Sequence, residues 1–290
     1  MTHVKAEIAS QPECWGLAAK LADSPGLPAR GERVAVVGCG TSWFMGMAYA
    51  ALRERSGQGE TDAFQASEFP HDRRYDRVVA ITRSGTTTEI VDLLDALDGR
   101  APTTVLTADG GQPAAALATD AIVLDFADEQ AVVQTRFATS ALALLRAHLG
   151  EDLEPVCADA EVAVRLPLPV HPALAEQITF LGRGWTIGLA HEAALKCREA
   201  AAYWAEAYPA MDYRHGPISI AAPGRAVWAF AELPEGLPAQ IRATGATLVE
   251  CDRDPVAQLI LAQRLAVAVA AGRGLDPDQP RHLTRSVILP

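Results

Sequence analysis

The feature that most constrains this chain is a grammar it uses twice: a short, nearly unbroken apolar run, a glycine-containing turn, then helical composition. Arg33-Val-Ala-Val-Val-Gly38 is the first run; it breaks at Gly38-Cys-Gly-Thr-Ser42, and helical sequence follows from Trp43 to Leu52. Gln177-Ile-Thr-Phe-Leu-Gly182 is the second, broken at Arg183-Gly184 and followed by a helix from Trp185 to about Tyr203. A continuous apolar run is the mark of a strand buried on both faces, as in a parallel sheet covered by helices.

The rest of the chain fits the same scheme. A leading helix and a Pro/Gly loop occupy residues 1–32. Strands are expected at Phe64–Glu68, Arg77–Thr82, Thr103–Thr107 and Ala121–Leu124, with helices over Thr86–Leu97 and Val132–Leu149. After Glu151-Asp-Leu-Glu-Pro155, a helix near 157–165 leads through Pro167, Pro169 and Pro172 to the second run. Strands at Ala226–Ala231 and Thr247–Glu250 and a helix over Pro255–Ala271 complete the pattern. Strands alternating with helices predict an α/β fold with two doubly wound parallel-sheet domains, spanning 1–150 and 151–290.

Composition excludes several classes. The chain is 49% hydrophobic and 21% charged, as a folded globular protein is. No apolar run reads as long enough to cross a bilayer, and Met1-Thr-His-Val-Lys5 lacks the pattern of a secretory signal. The net charge of −11 argues against a nucleic-acid surface. Cys14, Cys39, Cys157, Cys197 and Cys251 are scattered without CxxC spacing and read as reduced thiols in a cytoplasmic protein. The seven histidines form no HxH or HExxH cluster, so no metal is expected.

In open parallel sheets, ligands sit beyond the carboxyl ends of strands. Gly38-Cys-Gly-Thr-Ser42 and Thr82-Arg-Ser-Gly-Thr-Thr-Thr88 both fall at such ends. Each joins glycine and hydroxyls to a helix N-terminus, where free N–H groups favour an anion. The competing reading is that the hydroxyls merely cap the helices. Glu192, Lys196 and Glu199 lie at spacings of four and three, on one helix face. That pattern is usually an exposed ion-pair ladder, but the surrounding helix is rich in Ala and Leu.

Beyond these features, Gly38-Cys-Gly-Thr-Ser42, Ala66-Ser-Glu-Phe69 and Thr82-Arg-Ser-Gly-Thr-Thr-Thr-Glu89 resemble the first sugar-isomerase (SIS) domain of the tandem SIS family. That family includes glucosamine-6-phosphate synthases and stand-alone phosphosugar isomerases and deaminases. Leu181-Gly-Arg-Gly184, His191-Glu-Ala-Ala-Leu-Lys196, Glu199, Ala205-Glu-Ala-Tyr208 and Arg214-His-Gly-Pro217 resemble the second domain, and Asp278–Val287 the C-terminal tail. The resemblance implies two flavodoxin-like SIS domains in tandem. It implies a sugar phosphate held by Cys39, Gly40, Thr41, Ser42, Thr82, Arg83, Ser84 and Thr87, with Val132, Glu192 and Thr284 also at the substrate. It marks Glu199 as the base that moves a proton between C1 and C2, His215 as the ring-opening group donated by a partner subunit, and Lys196 as part of the site. A homodimer follows, with no cofactor, nucleic acid or membrane partner.

The chain departs from the synthase pattern. Residue 2 is Thr2, so no N-terminal cysteine nucleophile for glutamine is expected. Arg285 stands where the synthase tail carries an imine-forming lysine, and arginine stays protonated. Arg285 is expected instead to stabilise an enolate oxygen or a substrate carboxylate, and Arg83 to add a charged donor to the phosphate. Around Cys251–Val256 the second domain reads as one strand short. The expected activity is isomerisation or deamination of a hexose or hexosamine 6-phosphate. A sugar-amine phosphate deglycase and a non-catalytic sugar-phosphate sensor remain the alternatives.

Overall fold

The computed structural model describes residues 2–171, 176–250 and 252–289; Pro172 and Cys251 lie outside the described residues. In chain order the elements are α1 (His3–Ala9), α2 (Gln11–Ala19), β1 (Val34–Gly38), α3 (Thr41–Arg55), β2 (Thr61–Gln65), β3 (Arg77–Ile81), α4 (Thr88–Ala96), β4 (Thr103–Thr107), α5 (Pro113–Leu117), β5 (Asp120–Val123), α6 (Arg136–His148), α7 (Glu154–Ala163), β6 (Gln177–Gly182), α8 (Thr186–Ala201), β7 (Ala205–Pro209), β8 (Arg225–Ala229), α9 (Leu237–Ala243), β9 (Thr247–Val249) and α10 (Pro255–Gly272).

Five strands form one all-parallel sheet in the order β2-β1-β3-β4-β5. This doubly wound order reverses at β1/β3, where ligands of such sheets bind. Successive residues of β1 serve opposite faces: Ala35 and Val37 join a core with Ile90, Leu93 and Leu94 of α4, while Val36 faces Gly46 of α3. The other four strands form a second parallel sheet, β7-β6-β8-β9, with Leu181, Val227 and Ala229 packed beside Leu237 and Ile241 of α9.

The chain resolves into two compact units, one on each sheet, but a single cut at residue 150 does not separate them. Residues 10–130, 134–155 and 284–290 form the unit on the five-stranded sheet; residues 1–9, 131–133 and 156–283 form the other. The leading segment is two short helices, and α1 stays with the four-stranded unit because Val4 and Ile8 are buried and the His3 and Val4 amides donate to Asp278 (2.8 Å each). The tail stays with the five-stranded unit because it hydrogen-bonds to the loop ahead of α4: the Thr88 amide donates to the Val287 carbonyl (3.1 Å).

Further differences have local causes. β7 and the helices α5 and α9 were not expected from the sequence. β2 begins earlier than expected, and Ala66–Glu68 is a 3₁₀ turn. α6 starts at Arg136, not Val132, because the Glu129 carboxylate accepts the amides of Thr135 (2.6 Å) and Arg136 (2.8 Å) and fixes the start there. α10 is, contrary to expectation, long and apolar enough by composition to span a bilayer; most of it is buried, and it packs along α8.

Both sheets use one device at their first strand. A Cβ on Gly38 would lie 2.6 Å from backbone atoms of Ser42 and Trp43; one on Gly182 would lie 2.4 Å from the Thr186 carbonyl oxygen and 2.5 Å from Ile187. Glycine alone lets each strand end meet the first turn of the next helix. Gly38→Ala and Gly182→Ala should each destabilise their unit by about 1–3 kcal/mol, read as a fall in the denaturant midpoint; unchanged midpoints would show that the helix N-termini shift freely.

Candidate functional site

β1 and β3 are neighbours, so the loops after them lie side by side at the carboxyl end of the five-stranded sheet. In the first loop Gly40 takes φ 53°, a left-handed conformation suited to glycine, and turns the chain into α3. Thr41 and Ser42 form the buried first turn, each about 5% exposed. The Cys39 thiol is pushed up to about 11, first by burial and then by the charge of Glu89, so it is a neutral thiol at neutral pH.

The second loop bears on the capping reading. Neither α3 nor α4 carries a side-chain cap. The hydroxyls instead converge on one atom of the tail: Ser84 and Thr86 donate to Ser286 Oγ (3.1 and 2.9 Å), and Thr87 Oγ1 lies 3.3 Å from it. Such a hydroxyl cluster above an uncapped helix N-terminus is the chemistry that holds a phosphate oxygen. Thr82 is buried beneath it. Thr86 and Ser286 were not singled out from the sequence. Thr86 lies within the quoted hydroxyl run and Ser286 within the quoted tail, but their meeting, across about 200 residues of chain, leaves no local signal.

The two arginines take protein partners. Arg83, 4% exposed, donates Nη2 to the Arg285 carbonyl (2.9 Å) and places Nη1 3.7 Å from Glu129 Oε2. Arg285 directs its guanidinium to the Asp128 carboxylate and the Glu129 carbonyl. Thr284 donates to the Ser286 carbonyl (2.7 Å). Both arginines thus link the tail to residues 128–129. Glu129 and Asp128, missed from sequence, sit in a loop with no motif of their own.

In the other unit, Glu192 and Lys196 are each 1% exposed, and the Glu199 side chain is 21% exposed. Lys196 Nζ lies 3.5 Å from Glu192 Oε1 and pairs more closely with Glu199 Oε2. The exposed-ladder reading fails, because the lysine and one carboxylate are inside. Only Glu199 reaches solvent, at a cleft of about 490 Å³ lined also by Arg198, Asp276, Gln279, Arg281 and His282. α8 ends just beyond it, where Ala202 adopts φ 47° and Arg273 donates to the Ala201 and Ala202 carbonyls (3.0 Å each). His215 is exposed at the end of a 3₁₀ turn, Asp212–His215, and its ring makes no hydrogen bond among the described residues. The Val132 amide donates to the Asp278 carbonyl (3.1 Å). Among the described residues no group of three or more His, Cys, Asp or Glu side chains is placed to hold a metal ion.

With this geometry established, similarity to known proteins is informative. No family model matches the chain. It is 29% identical over 294 residues to the glutamine–fructose-6-phosphate aminotransferase (isomerizing) of Sulfurisphaera tokodaii, covering 88% of this chain and 50% of that protein. The chain thus spans about half the length of the curated relatives it matches. The C-terminal domain of the Francisella tularensis glucosamine-fructose-6-phosphate aminotransferase superposes with a TM-score of 0.83 at 21% identity, covering 96% of this chain and 98% of that one. The glucosamine-6-phosphate deaminase of Thermotoga maritima gives 0.80 at 23% identity, covering 99% and 100%. The fold is shared with both. At this identity the likeness establishes the α/β architecture with its parallel sheets and leaves the reaction to the residues.

Two predictions come from the half-buried thiol and the buried ion pair. Alkylation of Cys39 at pH 8 should be far slower than that of a free thiol and accelerate only as pH nears 11, followed by peptide mass spectrometry; labelling at a free-thiol rate would contradict the desolvation of this half-buried thiol. Lys196→Met removes the buried cation beside Glu192 and should cost about 3–5 kcal/mol, measured by urea unfolding; Glu192→Gln with Lys196→Met should recover part of that loss.

Proposed function

We propose that this chain is a phosphosugar isomerase or deaminase acting on a hexose or hexosamine 6-phosphate, built from two sugar-isomerase units in tandem and needing no cofactor. The observation that carries the reading is Glu199: a carboxylate oriented by a buried lysine, open to solvent on one side, in a cleft that admits a small molecule. A general base needs both properties, a fixed position and access to the substrate proton.

The roles follow from the chemistry of each group. The hydroxyls of Thr41, Ser42, Thr82, Ser84 and Thr87, with the amides that begin α3 and α4, supply neutral donors for a phosphate dianion. Glu199 takes the proton from one of C1 and C2 of the open-chain sugar and returns it to the other, through an enediol or enolamine. Lys196 holds Glu199, and Glu192 balances Lys196 from inside. His215, exposed and without an internal partner, suits ring opening in a neighbouring subunit of a homodimer, since imidazole exchanges protons near neutral pH.

An imine to the sugar ketone, as a synthase would need, has poor support. Arg285 cannot form one, and Lys196 lies buried between two carboxylates. This supports proton transfer, with or without ammonia release, over transfer of nitrogen from glutamine. The aminotransferase relative and the deaminase neighbour carry hexose or hexosamine 6-phosphates in their names, which supports this reading.

The test is hydrogen exchange in D₂O with glucosamine 6-phosphate, fructose 6-phosphate and glucose 6-phosphate, followed at C1 and C2 by NMR. Deuterium should enter one of these positions, and Glu199→Gln should slow exchange by about 10²–10⁴-fold with binding little changed. Ammonia release would select the deaminase. Stabilisation by these sugar phosphates without exchange would refute the enzyme and favour a sugar-phosphate sensor.

A further inference from the structure

We propose a second anion-binding site, at the amino ends of β3 and β4, for a small organic phosphate with a flat apolar body, of the nucleotide class. It lies in the unit on the five-stranded sheet, at the opposite end of β3 and α4 from the hydroxyl loop, and shares no residue with it.

A cleft of about 440 Å³ opens there, where β3 begins at Arg77, α4 has ended and β4 has not yet started. Its floor is apolar and buried: Phe69, Tyr75, Val78 and Leu97. Its rim carries three exposed arginines, Arg73, Arg74 and Arg100. The one acidic residue lining it, Asp76, already accepts the Arg33 amide (2.7 Å). The lining carries three guanidinium groups against one carboxylate, in a chain of net charge −11.

Two of the arginines are held in place and one is uncommitted. Arg100 donates to the His71 carbonyl (2.6 Å). Arg73 lies over the Phe64 ring at 5.8 Å and stands 3.6 Å from Asp62. Arg74 has neither a hydrogen bond nor an ion pair among the described residues. A cation beyond a helix C-terminus accounts for Arg100 by itself; it gives no reason for Arg73 and Arg74 beside it. Guanidinium forks match phosphate oxygens in pairs, and the side chains behind them, Phe69, Tyr75, Val78 and Leu97, are aromatic and aliphatic. The volume is that of a small-molecule pocket, and the acidic chain around it disfavours a nucleic-acid polymer.

The test is calorimetric titration of the full chain with ADP and with UDP, inorganic phosphate serving as control. At least one nucleotide should bind, more tightly than phosphate, and excess fructose 6-phosphate should not displace it. Arg74→Glu should weaken binding at least about tenfold and Arg74→Lys less, with the unfolding temperature unchanged, since Arg74 holds nothing in the fold. The proposal is overturned by no binding at millimolar nucleotide, by equal binding to Arg74→Glu, by phosphate binding as well as the nucleotides, or by displacement with fructose 6-phosphate. The last result would move the ligand to the hydroxyl loops; none of the four bears on Glu199.

Discussion

The contact on which the rest of this structure depends is the closure of a strand end onto the first turn of the following helix, made once in each sheet. At Gly38 and Gly182 there is no room for a methyl group, and in both places the obstruction is the backbone four and five residues on. Backbone cannot rotate away as a long side chain can, so the residue type is fixed by geometry. The closure also fixes where each helix begins, and so where its unpaired amides point. One device thus yields two frames, which the sequence fills differently. In the five-stranded unit the loops at the carboxyl end carry hydroxyls and a neutral thiol. In the four-stranded unit the helix beyond the turn carries two carboxylates and a lysine.

How much of this was legible in the sequence depended on whether the signal was local. β1, β3, β4, β6 and β8 were readable because buried parallel strands are unbroken apolar runs, and α4 because its apolar residues recur at helical spacing. β7 was not: Ala205-Glu-Ala-Tyr-Pro is an edge strand, half-buried along its middle, with a charge in it and a proline at its end. α10 was readable as a helix, but its overall apolar character was underrated because Gln258, Gln263 and Arg264 interrupt the run; both glutamines are nonetheless buried. The hydroxyl loops and the Glu192–Lys196–Glu199 face were visible as spacing. The atom on which the hydroxyls converge, Ser286, and the carboxylate that starts α6, Glu129, were not. Each acts through partners that only the folded chain brings near, and single residues of ordinary type leave no periodic trace.

The division of labour between arginine and lysine follows from the same geometry. Lysine occurs three times in the chain, and Lys196 is the one that is buried at the candidate site. A compact ammonium on a flexible stem can sit inside a helix face and serve two carboxylates a turn apart, which a planar fork fits poorly. Arg83 and Arg285 have the opposite task, bridging carbonyls and carboxylates of separate segments, where a wide fork reaches several acceptors at once. Of the three groups Glu192 and Lys196 are inside, and Glu199 alone meets solvent. The proposed role of Glu199 as a base uses that position: a buried lysine fixes the carboxylate while its other side meets solvent.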